Sequence, residues 1–322
     1  MAEERRFELP GRAGESGPDR IGLGLAALGR PGYLNLGHGE DVGPDHSVTA
    51  LRRLTHEVLD AAYEAGVRYF DAARSYGRGE EFLGAWLRDR DPGDVVVGSK
   101  WGYVYTADWQ VDADPPEVKH HDVETFRRQL EETRANLGDR LALYQIHSAT
   151  PDSGVLENDA VLEALAGLRA EGVAIGLSTS GTSQGETLDR ALGLDLFDAA
   201  QVTWNLHERA AGPALARAHD AGLGVIIKEA LANGRLATRA AHPALVAVAD
   251  RLGATPDAVA LAAVLAQPFA DVALSGAATT AALRSNLAAA ELELDAAALA
   301  ELDALEEDSA GYWAARGDMA WT

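Results

Sequence analysis

Short β-branched and apolar runs alternate with segments of helical period along nearly the whole chain, and this alternation limits the fold more than any other feature. IGLGLAALG, VRYFDA, DVVVGSK and LALYQIH precede helical segments at about 47–66, 79–90, 122–138 and 157–172. VAIGLST, FDAAQVTW, LGVIIKEA and DVALSG precede segments at about 182–193, 211–222, 243–266 and 279–291. Eight strand–helix pairs are the pattern of βα units around a parallel sheet. Gly66, Gly138, Gly172 and Gly222 stand where four of these helices should stop. With 322 residues, 47% of them apolar, and no Pro/Gly/Ser-rich linker, the chain is expected to form one domain over 1–322.

Charge narrows the partners. There are 28 basic and 50 acidic side chains, a formal charge of −22, which repels phosphate backbones and anionic lipid. Nucleic acid and membranes are therefore not expected partners. No cysteine is present, so disulfides and thiolate catalysis are excluded. The first twenty residues contain no apolar h-region and no uncharged apolar run approaches ~20 residues, so a cytoplasmic location is the expectation.

Four residues fall where strand-like runs end. Asp71 and Tyr76 lie in FDAARSYG, Lys100 closes VVVGSK and His147 closes LALYQIH. In a barrel of alternating strands and helices the loops after the strands converge on one face, so all four would meet there. A phenol with its usual pKa of about 10 is a poor acid or base at neutral pH, and a lysine ammonium beside it is expected to lower that value. The buried lysine needs a carboxylate to keep it charged. Tyr76 thus reads as general acid, Lys100 as its tuner and Asp71 as the anchor of Lys100. His147 would donate to a substrate oxygen or share the proton. Donation to a carbonyl oxygen is half of a reduction; the other half is a hydride, which side chains cannot supply and a nicotinamide can.

Other patterns weigh less. Gly22, Gly24 and Ala27 match Gly-x-Gly-x-x-Ala, but GRPGYLNLGHG follows and cannot open the helix that a dinucleotide fingerprint requires. His38, Glu40, Asp41, Asp45 and His46, and the pair His120 and His121, lack metal-ligand spacing, so no metal is expected. Two loops are long. Residues 101–121 carry Trp101, Tyr103, Tyr105 and Trp109, and residues 30–46 carry Tyr33, Asn35 and His38. Each set would wall a pocket or pin its loop. The C-terminal tail adds Tyr312, Trp313 and Trp321, which fold over the same mouth or pack elsewhere.

FDAARSYG with EEFLGAWL, VVVGSKWG and LALYQIH resemble, in order and spacing, the motifs of the aldo-keto reductases. The resemblance runs over about residues 20–291 and leaves 292–322 as a C-terminal extension. It implies an α/β fold, a (β/α)8 TIM barrel with a nicotinamide cofactor lying across its mouth. The implied activity is NAD(P)-dependent oxidoreduction of an aldehyde, ketone or aldose with Tyr76 as acid or base. The small-molecule partner is then a carbonyl or an alcohol, and a non-catalytic nicotinamide-binding regulator is the alternative.

The same resemblance points to cofactor contacts. Gly24 suits close approach of backbone to cofactor or packing at the barrel rim, and Gln201 and Ser178 match the family. Thr179 stands where asparagine is usual, and Trp204 replaces a tyrosine as a stacking face. Leu231 and Gly234 align with the segment after strand seven, where Lys228 departs from the majority and would reach a phosphate. Gly276, Thr279 and Asn286 match at the adenosine end. Ala282 lacks the usual basic side chain there, which leaves Arg284 to meet a 2′-phosphate. NADP is the expected cofactor, with NAD the other choice. No oligomeric state is indicated.

Overall fold

The computed structural model describes residues 7–238, 240 and 242–322. Its strands are β1 (Ile21–Gly24), β2 (Tyr69–Asp71), β3 (Val96–Trp101), β4 (Tyr103–Tyr105), β5 (Glu117–Lys119), β6 (Leu141–Ala149), β7 (Ala174–Thr179), β8 (Ala199–Thr203), β9 (Gly224–Lys228) and β10 (Val272–Ser275). Apart from the β4–β5 pair, they close into a parallel barrel in the order β1-β10-β9-β8-β7-β6-β3-β2. The helices between them are α1 (His38–Val42), α2 (Val48–Glu64), α3 (Gly79–Arg90), α4 (Val123–Leu137), α5 (Asp159–Ala170), α6 (Gln184–Leu192), α7 (Gly212–Asp220), α8 (Pro243–Leu252), α9 (Pro256–Leu265) and α10 (Thr280–Leu287). Helices α11 (Ala296–Leu302) and α12 (Ser309–Gly317) form the C-terminal extension.

The (β/α)8 barrel read from the sequence is present, with two local differences. The segment at 243–266 is two helices, because Gly253 at φ 64° ends α8 and Thr255–Pro256 opens α9. The loop at 101–121 contains an antiparallel hairpin, in which Tyr103 pairs with Lys119 and Tyr105 with Glu117. Among the described residues no helix is long and apolar enough to cross a membrane.

Successive strand residues face opposite sides, and this alternation separates two cores. Leu23, Phe70, Val97, Tyr144, Ile146, Ile175, Val202 and Ile227 belong to the core shared with the helices. Each such side chain contributes about 1.5–3 kcal/mol by its burial. Tyr69, Leu143, Ala174, Ala199, Ile226 and Val272 form a second cluster with Leu9, which plugs the end where the strands begin. Tyr69 fits only because Gly98 lies beside it: a Cβ at that position would sit 2.4 Å from the phenol oxygen.

Two residues further along the same strands the interior turns polar. Tyr69 gives way to Asp71, Gly98 to Lys100, Leu143 to Gln145, Ala199 to Gln201 and Ile226 to Lys228. The period that builds the apolar floor therefore delivers the polar groups to the mouth.

The candidate active site

Asp71, Lys100, Gln145 and Gln201 are all buried and form one hydrogen-bonded layer. The Lys100 ammonium pairs with Asp71 Oδ2 in a short contact and donates to Ala72 O at 3.0 Å and to the Tyr76 hydroxyl at 3.2 Å. Asp71 Oδ1 accepts from the Gln201 amide at 2.9 Å, the Tyr69 hydroxyl at 3.2 Å and the Gln145 amide at 3.3 Å. Five groups thus fix one carboxylate and one ammonium. His147 packs edge-on against Tyr76, with ring centres 5.6 Å apart, and its Nδ1 lies 3.4 Å from Ser75 Oγ.

Two shifts follow from this burial. Tyr76 is pushed well above its ordinary value, first by desolvation and then by the Asp71 charge, with Arg30 opposing. The expectation that Lys100 lowers the Tyr76 pKa is therefore corrected: the ammonium is matched by Asp71, so the pair does not offset the loss of water. His147 is held well below its usual range by burial, then by Lys100, Lys228 and Arg30, and is a neutral imidazole.

Asp71, Tyr76 and His147 line a cavity of about 1170 Å³. It runs from the barrel axis to the start of α10. Small-molecule pockets span roughly 300–1,000 Å³, so an extended ligand and a second, smaller one both fit. Of the expected cofactor residues, Gly24, Gln201, Lys228, Leu231, Gly234, Gly276 and Asn286 line it. A Cβ on Gly276 would meet nothing within 4 Å, so bare backbone faces the cleft there. Asn286 is locked by Ser275 and Asp257, at 2.7 Å each.

The remaining expected residues stand elsewhere. Trp204 points out of the barrel and packs on Phe269 at 6.0 Å between ring centres, because its neighbours Gln201 and Thr203 take the inward positions on β8. The stacking face expected of it is absent from the cavity. Arg284 is exposed on α10 and is not among the residues lining the cleft. Thr279 caps α10 by accepting from Ala282 N at 3.1 Å. Ser178 accepts from Ser148 N at 2.8 Å, and Thr179 donates to Gln184 at 3.3 Å.

Lys228 lies at the inner end of the cleft, beside the Asp71–Lys100 layer. Its ammonium donates to Thr203 Oγ1 at 2.6 Å, and burial lowers it to about 8. Burial alone would raise its neighbour Glu229, but Lys228 and Arg316 outweigh it and hold the carboxylate at about 2. Arg316 reaches Glu229 from α12 through Nε at 3.0 Å and Nη2 at 2.6 Å. The extension therefore folds over the mouth, and Trp321 lines the cavity with Tyr33 and Tyr103. Trp101 and Trp109 are pinning residues: Trp101 packs on Phe126, and Trp109 donates to His46 O at 2.7 Å.

The sequence reading missed Arg30 and Arg316. Both are isolated basic residues in irregular or terminal segments, without a period to mark them, and both work through partners distant in sequence. Among the described residues no three His, Asp or Glu side chains gather to hold a metal ion.

A family model for the aldo/keto reductases matches residues 20–307. The chain is 30% identical over 237 residues to a D-threo-aldose 1-dehydrogenase of a Pseudomonas species, covering 67% of this chain and 69% of that one. It is likewise 30% identical over 309 residues to an uncharacterized oxidoreductase of Mycobacterium bovis, 86% of each chain. A solved aldo-keto reductase of Klebsiella pneumoniae in complex with NADPH superposes with a TM-score of 0.65 at 25% identity, over 92% of this chain and 95% of that one. With the barrel and its polar mouth, these matches establish that the chain belongs to the aldo/keto reductase family, whose members are oxidoreductases.

Proposed function

We propose that the protein is an NAD(P)-dependent oxidoreductase acting between a nicotinamide and a carbonyl or alcohol carbon, with Tyr76 transferring the proton. The observation that supports this most is the meeting of Tyr76, Lys100, Asp71 and a neutral His147 at one cavity. The bound nicotinamide supplies or takes up the hydride.

Each side chain then has a defined task. Tyr76, kept protonated by burial, gives its hydroxyl proton to the substrate oxygen in reduction and takes it back in oxidation. Lys100 stabilises the negative charge that develops on the phenol oxygen 3.2 Å away. Asp71 holds the ammonium in place, and Gln145, Gln201 and Tyr69 hold Asp71. We assign Ser75 as the donor to His147 Nδ1, 3.4 Å away, so that the imidazole carries its hydrogen on Nε2 and offers it to the same substrate oxygen.

Gln201 and Lys228 would hold the inner part of the cofactor, and Leu231, Gly234, Gly276 and Asn286 the outer part. The Klebsiella relative is in complex with NADPH. Among the described residues no Lys or Arg side chain lines the outer wall at Thr255, Asp257, Ala282 and Ser285, so NADP and NAD both enter the assay. Aldoses join aldehydes and ketones as substrates to test, following the Pseudomonas relative's name.

The test is Tyr76→Phe. Turnover should fall by about 10²–10⁴-fold, the range of general acid–base catalysis, while the dissociation constants of NADPH and NADH, read from tryptophan fluorescence, change less than about twofold. Turnover near that of the unmodified protein removes Tyr76 from the chemistry.

A further inference from the structure

Arg30 stands against the face of the Tyr76 ring. Its guanidinium carbon lies 5.3 Å from the ring centre, 5.1 Å from that of Tyr33 and 4.4 Å from the Trp321 ring. Its Nη1 donates to Ser75 O at 2.9 Å and to Glu117 Oε2 at 2.9 Å. The residue is 2% exposed. One side chain thus joins the loop after β1, the loop that carries Tyr76, the β4–β5 hairpin and the C-terminal extension.

We propose that Arg30 is a positioning residue for the reaction: it fixes the Tyr76 ring and, paired with Glu117, sets how much positive charge that phenol experiences. This rests on the assignment of Tyr76 as proton carrier. Lys100 is the nearer cation, but its charge is shared with Asp71 in the barrel interior. Arg30 approaches another part of the ring and is matched by a carboxylate whose side chain is 21% exposed, against 2% for Asp71. Water screens the better-exposed partner more, so more of the Arg30 charge reaches Tyr76. The charged and titratable groups around the phenol are Asp71, Lys100, His147, Arg30, Glu117, Glu229, Tyr33 and Tyr69. Arg30 is the first among them to lower its pKa, and Glu117 raises it.

A purely structural role for the Arg30–Glu117 pair and an electrostatic one predict different signs. Breaking the pair from either side frees the hairpin from Arg30, and Arg30→Met also loses the Ser75 and ring contacts, so a structural effect would have the same sign in both variants. Only a charge effect moves the phenol in opposite directions. The experiment is the pH dependence of alcohol oxidation, with the cofactor dissociation constant measured in parallel, for Arg30→Met, Arg30→Lys, Glu117→Gln and Tyr76→Phe. Arg30→Met should raise the apparent pKa that controls oxidation, by about one unit, and lower kcat at neutral pH about tenfold. Glu117→Gln should lower that pKa, and Arg30→Lys should return it toward the unmodified value. Shifts of the same sign in Arg30→Met and Glu117→Gln, or none in either, overturn the proposal. Should Arg30→Met fail to fold, the sign in Glu117→Gln and the value in Arg30→Lys still decide it. An active Tyr76→Phe instead defeats the underlying assignment.

Discussion

The Lys100 ammonium lies 3.2 Å from the Tyr76 hydroxyl and 4.8 Å from the centre of its ring. It reaches that place only because Asp71, on the neighbouring strand, neutralises it inside the barrel. The surroundings of the Tyr76 hydroxyl are therefore set by a pair of charges that neither strand would tolerate alone.

That dependence is asymmetric. In Asp71→Asn the ammonium loses its counter-charge and keeps only neutral acceptors, Ala72 O and the Tyr76 hydroxyl among them. In Lys100→Met the carboxylate keeps three neutral donors. Breaking a buried pair costs about 3–5 kcal/mol, and Asp71→Asn should lie at the upper end with Lys100→Met below it. Both should lose turnover. Chemical denaturation of the two variants checks the order, and a more stable Asp71→Asn contradicts it.

The clasp between Glu229 and Arg316 predicts acid sensitivity. The Glu229 carboxylate is held at about 2 in the fold against an ordinary 4.5, so between these values the unfolded chain binds the extra proton. Stability from this group is complete above about pH 4.5 and is lost as pH falls toward 2, a loss of about 3 kcal/mol by linkage. Melting temperature measured from pH 6 to pH 2.5 should drop more steeply in the unmodified protein than in Arg316→Met. Equal slopes would show that the clasp contributes nothing.

Much of this was legible in the chain, for definite reasons. Strand ends carry Asp71, Lys100 and His147 because period-two alternation continues from the apolar floor into the polar layer, and alternation is readable. The same rule, applied one residue further, places Trp204 outside and Thr203 inside, and exposes the error of assigning a stacking face to Trp204. The break before α9 was also marked, by Gly253 and Thr255–Pro256. What the sequence withheld was contact between segments far apart in the chain. Arg30 meets Trp321 and Glu117, and Arg316 meets Glu229, through loops whose paths no local pattern dictates. The direction of the Tyr76 pKa is not legible from Lys100 alone, because Asp71 offsets that charge and the whole barrel removes water from the phenol.

Lys228 supplies a further pH test. Its ammonium donates to Thr203 and loses its proton at about 8. An anionic ligand at the inner end of the cavity meets a cation below that value and a neutral amine above it. Inhibition by phenylacetate should weaken roughly tenfold for each pH unit above about 8. In Lys228→Met it should be weak and flat with pH. An unchanged profile in that variant would place the anion elsewhere.

The most direct measurement is the fate of deuterium from NADPH or NADH labelled at C4 of the nicotinamide, incubated in turn with an aldehyde, a ketone and the lactone of an aldose. The account predicts deuterium on the former carbonyl carbon of the product with the unmodified protein, transferred at least about a hundredfold more slowly by Tyr76→Phe although that variant still binds the dinucleotide. Tight cofactor binding by the unmodified protein with no label transferred to any of these acceptors would contradict it.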